Sequence, residues 1–367
     1  MNAKPLKVCL ICVEIFGFGK YGGFGRATRI IGRELGRRGL EIVALVPRRD
    51  QQARTEKLDG MTVVGFPAAD PLKFLKLARE IDADVYHSQN VSFATYLATR
   101  ARPDARHVVT LRDPKSASDW AIEWWRPSIS RLKVMLNCLY EESLGFNGFV
   151  KRLDGVYVAA PHLVQKAVGK FRLTSPVGVL PTPIEIPRHD IVKADRPTVV
   201  FVGRLDRRKR PEKYLELAGM FPDVNFLAVG KSNDAGWESR LRARFAEQSN
   251  LTFEGFVDQF ASRWLEQILE KSWIIVNTAA REGISTATLE GLAHQCAVLS
   301  KVNSEKEAQN FGYHAERDDF ATGLHSLLED GSWREKGIQG QRWVAENFEI
   351  GMSIDRHIEA YGHSRST

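Results

Sequence analysis

Short apolar runs alternate with amphipathic stretches along the whole chain. In the first half the apolar runs at 8–13, 41–46, 61–66, 84–88, 107–111, 155–159 and 177–180 predict strands. Several are unbroken runs rich in Val, Ile and Leu, the pattern of a parallel sheet covered on both faces. Helix candidates lie between them, such as 26–38, which stops at Gly39, a residue suited to the turn after a helix. The stretch Pro181-Thr182-Pro183-Ile184-Glu185-Ile186-Pro187 is broken by prolines and runs on polar to Pro197, which predicts a linker over 182–196. The alternation then restarts. Strands are expected at 198–202, 225–229, 251–253, 273–276 and 297–300, with helices at 211–220, 236–248, 260–271 and 285–294. From Glu305 the pattern is helical almost to the last residue. Two such series predict an α/β protein of two doubly wound, Rossmann-like parallel-sheet domains, over 1–181 and 197–345, with a ligand cleft between them.

Composition narrows the class. A chain of 367 residues suits two domains, and 43% hydrophobic residues can fill two cores. Four cysteines (Cys9, Cys12, Cys138, Cys296) are too few for a disulfide scaffold and point to a reducing compartment. The first apolar run is broken at Glu14, so a strand is expected there rather than a leader, and no run approaches the roughly 18 residues of a membrane span. The expectation is a soluble, cytoplasmic protein. Charge is unevenly placed. Residues 1–190 carry 29 Lys and Arg against 19 Asp and Glu, whereas 191–367 carry 23 against 26. A basic first half is expected to meet something acidic, either a phosphorylated substrate or an anionic membrane surface, unless it is simply a solvated face. Trp120, Trp124 and Trp125 beside Arg126, Arg131 and Lys133 sharpen that expectation, since they could form an acceptor platform, a membrane-interface patch or ordinary core.

Several motifs carry candidate chemistry. Gly17-Phe18-Gly19-Lys20-Tyr21-Gly22 follows the first strand and satisfies G-x-G-x-x-G, a dinucleotide-binding pattern. The second strand ends in Pro47-Arg48-Arg49 rather than in an acidic residue, which leaves an NADP-dependent oxidoreductase as one reading and a ligand-free glycine turn as another. Gly230-Lys231-Ser232 resembles the end of a P-loop, but the preceding residues are strand, so an ATPase is excluded. Asp82-Ala83-Asp84 fits a D-x-D metal pattern but leads straight into a buried strand with no third ligand near, so no metal is expected. Cys9 and Cys12 sit three apart on one strand, facing opposite sides, and read as core. His87, at a strand end, reads as a satisfied core histidine or as a residue of the cleft rim.

The second half holds the more specific pattern. Gly203-Arg204-Leu205 ends a strand, with Lys209 five residues after the arginine, an arrangement suited to a diphosphate or to a solvated basic turn. Arg281-Glu282-Gly283-Ile284-Ser285-Thr286 leads into a helix carrying Glu290, so two carboxylates flank a helix N-terminus that can receive a phosphate.

With these segments in order, the chain resembles the retaining GT-B glycosyltransferases of family 4, the glycosyl transferases group 1. The resemblance rests on Gly203, Arg204, Leu205 and Lys209, and on Glu282 and Glu290 as E-x7-E. It extends to Glu254-Gly255-Phe256-Val257-Asp258, the Gly22-Gly23-Phe24-Gly25 loop and the Pro181-Thr182-Pro183-Ile184 hinge, and so covers roughly residues 7 to 361. It implies a GT-B fold whose last helix, 351–361, packs back on the first domain. It also implies a metal-independent hexosyltransferase that needs no cofactor beyond its donor, a UDP-, GDP- or ADP-sugar. The acceptor would be a hydroxyl of a cell-surface glycan or a lipid-linked molecule, reached at the inner membrane face, with no nucleic-acid partner.

By the same resemblance, Arg204, Lys209 and the Ser285–Thr286 amides, next to Gly283 and Ile284, would stabilise the diphosphate. Glu282 would hold sugar hydroxyls at the cationic transition state, Glu290 would bind the ribose, Val257 would meet the base, and Gly22 and Gly23 would line the donor. The chain departs from the family at four places. Arg112 stands where many members have His and cannot act as a base, so it would contact sugar or phosphate. Ile284-Ser285 replaces Phe-Gly, Gln295-Cys296-Ala297 replaces Gly-x-Pro, and Thr182 replaces Asn. Besides the oxidoreductase, a non-catalytic sugar-nucleotide-binding protein stays open at this point.

Overall fold

The computed structural model describes residues 4–18, 22–49, 52–127 and 129–362, with only the backbone of Leu144 and Phe146. The chain divides into two compact units: unit 1 is Met1–Ser116, Leu139–Pro183 and Ile350–Thr367, and unit 2 is Ala117–Cys138 and Ile184–Glu349.

Unit 1 is built on β1 (Lys7–Ile11), β2 (Glu41–Pro47), β3 (Thr55–Leu58), β4 (Met61–Phe66), β5 (Val85–Ser88), β6 (Arg106–Leu111), β7 (Gly155–Val158) and β8 (Gly178–Val179). They form one sheet in the order β3-β4-β2-β1-β5-β6-β7-β8, parallel except for β3. Val8 pairs with Ile42 on one side and Val85 on the other, so β1 is central. Its side chains alternate between two layers. Val8 and Leu10 pack with Ile31 and Leu35, whereas Cys9 and Ile11 pack with Phe74 and Leu97. Both faces are therefore dry, which is why this strand reads as an unbroken apolar run. Cys12 lies in the first of these layers and Cys9 in the second.

The helix Ile350–Gly362 belongs to unit 1 and buries Ile354 and Tyr361 in the first layer. Its Ser353 hydroxyl donates to the Pro181 carbonyl at 2.5 Å, and Arg38 pairs with Asp355.

Unit 2 carries β9 (Thr198–Val202), β10 (Asn225–Val229), β11 (Leu251–Gly255), β12 (Ile274–Asn277), β13 (Ala297–Ser300) and β14 (Gly312–His314), in the order β11-β10-β9-β12-β13-β14. All pairs are parallel. Phe201, Tyr214, Phe226, Leu299 and Trp333 fill its core, and the Tyr214 hydroxyl donates to the Val199 and Leu227 carbonyls.

Three features differ from the sequence reading. The edge strand β3 is polar and pairs antiparallel with β4 through Asp59-Gly60, both at positive φ, the hairpin turn that an Asp-Gly dipeptide favours. The stretch after Glu305 is not wholly helical, because β14 adds to β13. Gly312 makes this pairing, as a Cβ there would fall 1.7 Å from the Val298 carbonyl oxygen. Finally, residues 117–138 do not belong with the rest of 1–181. They pack in unit 2, where Arg281 Nε donates to Asp119 at 3.1 Å and Arg281 Nη1 to Glu123 at 2.8 Å, with all three side chains buried.

Candidate functional site

In unit 2 the strand order reverses between β9 and β12, so the loops leaving their carboxyl ends diverge and leave room for a ligand. The loop after β9 is pressed onto the end of β10. Gly203 donates to the Val229 carbonyl at 2.9 Å, and Gly230, at φ +133°, lies so close that a Cβ would sit 1.9 Å from the Gly203 oxygen. Arg204 follows, 39% exposed at its side chain, with its guanidinium 3.3 Å from the Asp206 carboxylate. Asp206 then closes a tight turn, since both its carbonyl and its carboxylate accept the Lys209 N–H at 3.0 Å. Arg210 takes the left-handed conformation, costly for a residue with a Cβ. It is held there by bonds to the Thr278 carbonyl at 2.6 Å and to both Asp318 oxygens at 2.7 and 2.9 Å. The Arg210 guanidinium keeps the Asp318 carboxyl below its ordinary pKa.

This turn aims Lys209 at the loop after β12, where its ammonium pairs with the Glu282 carboxylate. Both side chains are largely covered. Beyond Gly283 and Ile284 the helix Thr286–Ala293 opens with Ser285 as its cap: Ser285 Oγ accepts the Thr288 N–H at 3.3 Å and a bond from Asn277 Nδ2 at 3.2 Å. Glu290 is buried in the same helix, and its backbone carbonyl accepts from His294. Val257 lies just past β11, where the register slips by one residue and Gly255 takes φ +72°. Arg204, Lys209, Val257, Glu282, Gly283, Ile284, Ser285, Thr286 and Glu290 thus all lie on loops or a helix leaving the carboxyl edge of one sheet.

Sequence reasoning missed the residues that brace this edge. Arg208 donates to Glu123 at 2.9 Å, and Arg281 joins the same carboxylate and Asp119. Burial works against the charge on Arg208, but Glu282, Glu123 and Asp206 outweigh it and raise its pKa. The flanking loops are therefore pinned by the helix Ala117–Trp125. No local signal announces that pairing, because its partners stand some 85 to 162 positions apart.

Unit 1 has its own reversal, between β1 and β5. The helix Gly23–Arg37 begins there with Gly22 as its cap residue, and Gly25 donates its N–H to Glu14 Oε1 at 2.9 Å. A Cβ on Gly22 would approach that same oxygen to 2.5 Å. The carboxylate therefore occupies the place that a pyrophosphate takes in a dinucleotide fold, against the oxidoreductase reading. Gly19 of the G-x-G-x-x-G pattern lies outside the described residues.

Arg112, just past β6, is buried. Its Nη2 donates to Gln89 Oε1 at 2.6 Å, its Nη1 lies 3.5 Å from Thr182 Oγ1, and burial lowers its pKa to about 10, so it stays charged at neutral pH. His87 is a core residue: its ring nitrogens meet the Tyr361 hydroxyl at 2.7 Å and the Thr110 hydroxyl at 2.8 Å. The two aspartates of the D-x-D pattern diverge. Asp82 pairs with Arg102, and Asp84 accepts the Lys7 N–H at 2.8 Å. Gly230-Lys231-Ser232 cradles nothing, since Gly230 donates to the Gly255 carbonyl and Ser232 N–H to Glu238.

The chain is similar to known proteins both in sequence pattern and in fold. The family model described as Glycosyltransferase Family 4 matches residues 21–188, and the model described as Glycosyl transferases group 1 matches residues 196–330. No curated protein matches the chain by sequence. Among solved structures, sucrose-phosphate synthase from Thermosynechococcus elongatus superposes with a TM-score of 0.75 at 16% identity, over 97% of this chain and 98% of that one. Anabaena HepE in complex with UDP-glucose gives 0.70 at 15%, over 97% and 99%. The catalytic domain of starch synthase IV from Arabidopsis thaliana, bound to ADP and acarbose, gives 0.67 at 14%, over 99% and 100%. Identities this low speak for the fold, and the two family models, one on each half, speak for the lineage: the chain belongs to the group 1, family 4 glycosyltransferases and has their GT-B fold.

Proposed function

We propose that this glycosyltransferase is metal-independent and retaining, and that it moves a hexose from a nucleoside diphosphate sugar to a hydroxyl of a cell-surface glycan or lipid-linked acceptor. The observation that carries the reading is the half-buried Lys209–Glu282 pair beside the Ser285-capped helix. An ion pair of this kind can open when a better partner arrives. The donor diphosphate takes Lys209 and Arg204, and the N–H groups at the start of the helix Thr286–Ala293 complete the anion site. Glu282, released from Lys209, accepts hydrogen bonds from the sugar and favours the positive charge that develops at its anomeric carbon as the C–O bond to phosphate breaks. The negative charge left on the leaving phosphate is met by the same two cations. Attack by the acceptor on the face the phosphate leaves, with the phosphate oxygen taking the acceptor proton, gives retention without a covalent intermediate on the enzyme. Glu290 accepts bonds from the ribose hydroxyls, and the Val257 backbone meets the base. HepE was solved with UDP-glucose and starch synthase IV with ADP, which supports a nucleotide-sugar donor without choosing the base.

The test is a thermal-shift screen with UDP, GDP, ADP and their sugars, followed by transfer assays with and without EDTA and an NMR assignment of the product anomer. One nucleotide should stabilise the protein, EDTA should leave transfer intact, and the product should keep the donor configuration. Inverted product would sink the mechanism. Activity lost in EDTA and restored by Mn²⁺ or Mg²⁺ would sink metal independence. Tight donor binding with no turnover on a broad acceptor panel would make the chain a sugar-nucleotide sensor instead.

A further inference from the structure

The segment 117–138 presents two chemically opposite sides. It contains two carboxylates, Asp119 and Glu123, and three cations, Arg126, Arg131 and Lys133. Both carboxylates are buried against Arg281 and Arg208 of unit 2, while all three cations are exposed. What the segment shows to solvent is therefore positively charged without an acid of its own. It is also apolar. Trp125 is 72% exposed, Leu132 62% and Leu136 53%, with Trp124 and Met135 exposed beside them. In the helix Arg131–Glu141 the residues Leu132, Met135, Leu136 and Leu139 stand at i, i+3, i+4 and i+7, a stripe that normally faces a core. Here it faces solvent, and only Val134 of that helix is buried. The Arg131 guanidinium lies 5.8 Å from the Trp124 ring centre, so cation and aromatic share one surface.

From this we infer that the face formed by residues 124–136 docks on an anionic lipid bilayer. The stripe and the tryptophans enter the headgroup boundary, while Arg126, Arg131 and Lys133 meet lipid phosphates. The charge pattern selects this partner. An apolar stripe alone would suit any hydrophobic surface, but one whose segment exposes Arg126, Arg131 and Lys133 and turns Asp119 and Glu123 inward is complementary to a negatively charged one. The sequence placed such docking on the first domain; the structure assigns the segment to unit 2. With no helix of the described residues long and apolar enough to cross a membrane, the attachment is peripheral. Each cation near such a surface adds a modest attraction that salt screens, so binding is reversible.

Cosedimentation with vesicles of phosphatidylcholine, and of phosphatidylcholine mixed with phosphatidylglycerol, tests this on the full chain without nucleotide or acceptor. It can therefore fail without touching the transferase reading, and the reverse. Protein should pellet with the anionic vesicles at low salt, stay in the supernatant with neutral ones, and be released as salt rises. Reversing two charges, in Arg131→Glu with Lys133→Glu, should lower the vesicle-bound fraction at least about tenfold. Trp125→Ser with Leu136→Ser should lower it severalfold, with thermal unfolding of both variants unchanged to show that they fold. Equal recovery with neutral and anionic vesicles would overturn the proposal. So would dimerisation at rising protein concentration that the Trp125 and Leu136 changes abolish, which would give the face to a second copy of the chain.

Discussion

Each unit opens a helix just past the point where its strand order reverses, yet the two N-termini are furnished in opposite ways. In unit 1 the Glu14 carboxylate bonds the Gly25 N–H at the start of the helix Gly23–Arg37. In unit 2 the helix Thr286–Ala293 is capped by the neutral Ser285 hydroxyl, with Lys209 and Arg204 on the next loop. Both ends carry the same partial positive charge from their unpaired N–H groups. One has already spent it on a carboxylate of its own chain, while the other combines it with two further cations. Glycine richness, which marks the first loop in the sequence, does not reveal this difference in charge between the two helix starts.

The largest expected effect concerns the residue that only the second site has. Glu282→Gln should lower kcat by about a hundredfold, on the scale of removing one charge-stabilising group from a transition state. It should do so without weakening nucleotide affinity in a binding titration, since the diphosphate no longer displaces a carboxylate from Lys209. Wild-type turnover in that variant would remove Glu282 from the chemistry. Lys209→Ala should cost roughly 1.5–3 kcal/mol of donor or transition-state binding, and the more exposed Arg204→Ala somewhat less, read as kcat/KM. Glu290→Ala should weaken nucleotide binding as seen by calorimetry. Unchanged affinity and turnover in all three would move the diphosphate away from unit 2.

Acid should separate the units in a different way. Burial holds His87 and His357 of unit 1 neutral, His87 well below its usual pKa and His357 down at about 4 instead of 6.5. An unfolded chain takes up protons at these groups first, so stability is full above pH 6.5 and falls as the pH drops from there toward 4, by roughly 3 kcal/mol for His357. In unit 2 the depressed pKa of Asp318 acts in the same direction but in a lower pH window. Its contribution is complete above the ordinary carboxyl value of 3.8 and is lost only as the pH falls further, through its folded value. Hydrogen exchange at pH 7 and pH 5 should therefore show the helix Ile350–Gly362 loosening before the Arg210 turn. The reverse order would contradict this account of both groups.

The smallest effect is the most direct test of the comparison. Glu14→Gln keeps a hydrogen-bond acceptor for Gly25 but removes the charge, and should cost about 0.3–1 kcal/mol of stability while leaving nucleotide affinity unchanged. A gain in affinity would mean that the helix of unit 1 receives a phosphate after all.

Much of this architecture is legible in the sequence because the physics is local. A strand dry on both faces must be apolar throughout, so β1, β2, β9 and β12 stand out, and Pro211 marks the first turn of its helix. The Asp59-Gly60 turn was equally readable and identifies the β3–β4 hairpin despite its polar strand. Other features have no local signature. β14 exists because Gly312 lets two backbones close together, and nothing in Gly-Tyr-His alone demands a strand. At the candidate site, the motif spacing identifies Lys209 and Glu282 one by one, but their pairing depends on the Asp206 turn and on the reversal between β9 and β12. The bracing of Arg208 and Arg281 by Glu123 and Asp119 rests on charges that meet only after folding.

That bracing also bears on how the chain is made. The helix Ala117–Trp125 leaves the ribosome long before β9 to β14, and must wait for Arg208 and Arg281 before its carboxylates are neutralised. Unit 1 waits longer still, for the helix Ile350–Gly362, whose Tyr361 completes the hydrogen bonds of His87. Vectorial synthesis usually lets the first domain finish before the next begins. In this chain each unit is completed by a segment distant in sequence, and a fragment beginning at Ile184 would lose the helix that covers Arg208 and Arg281 and supplies their acids. The two units are separate in architecture but a single task for biogenesis.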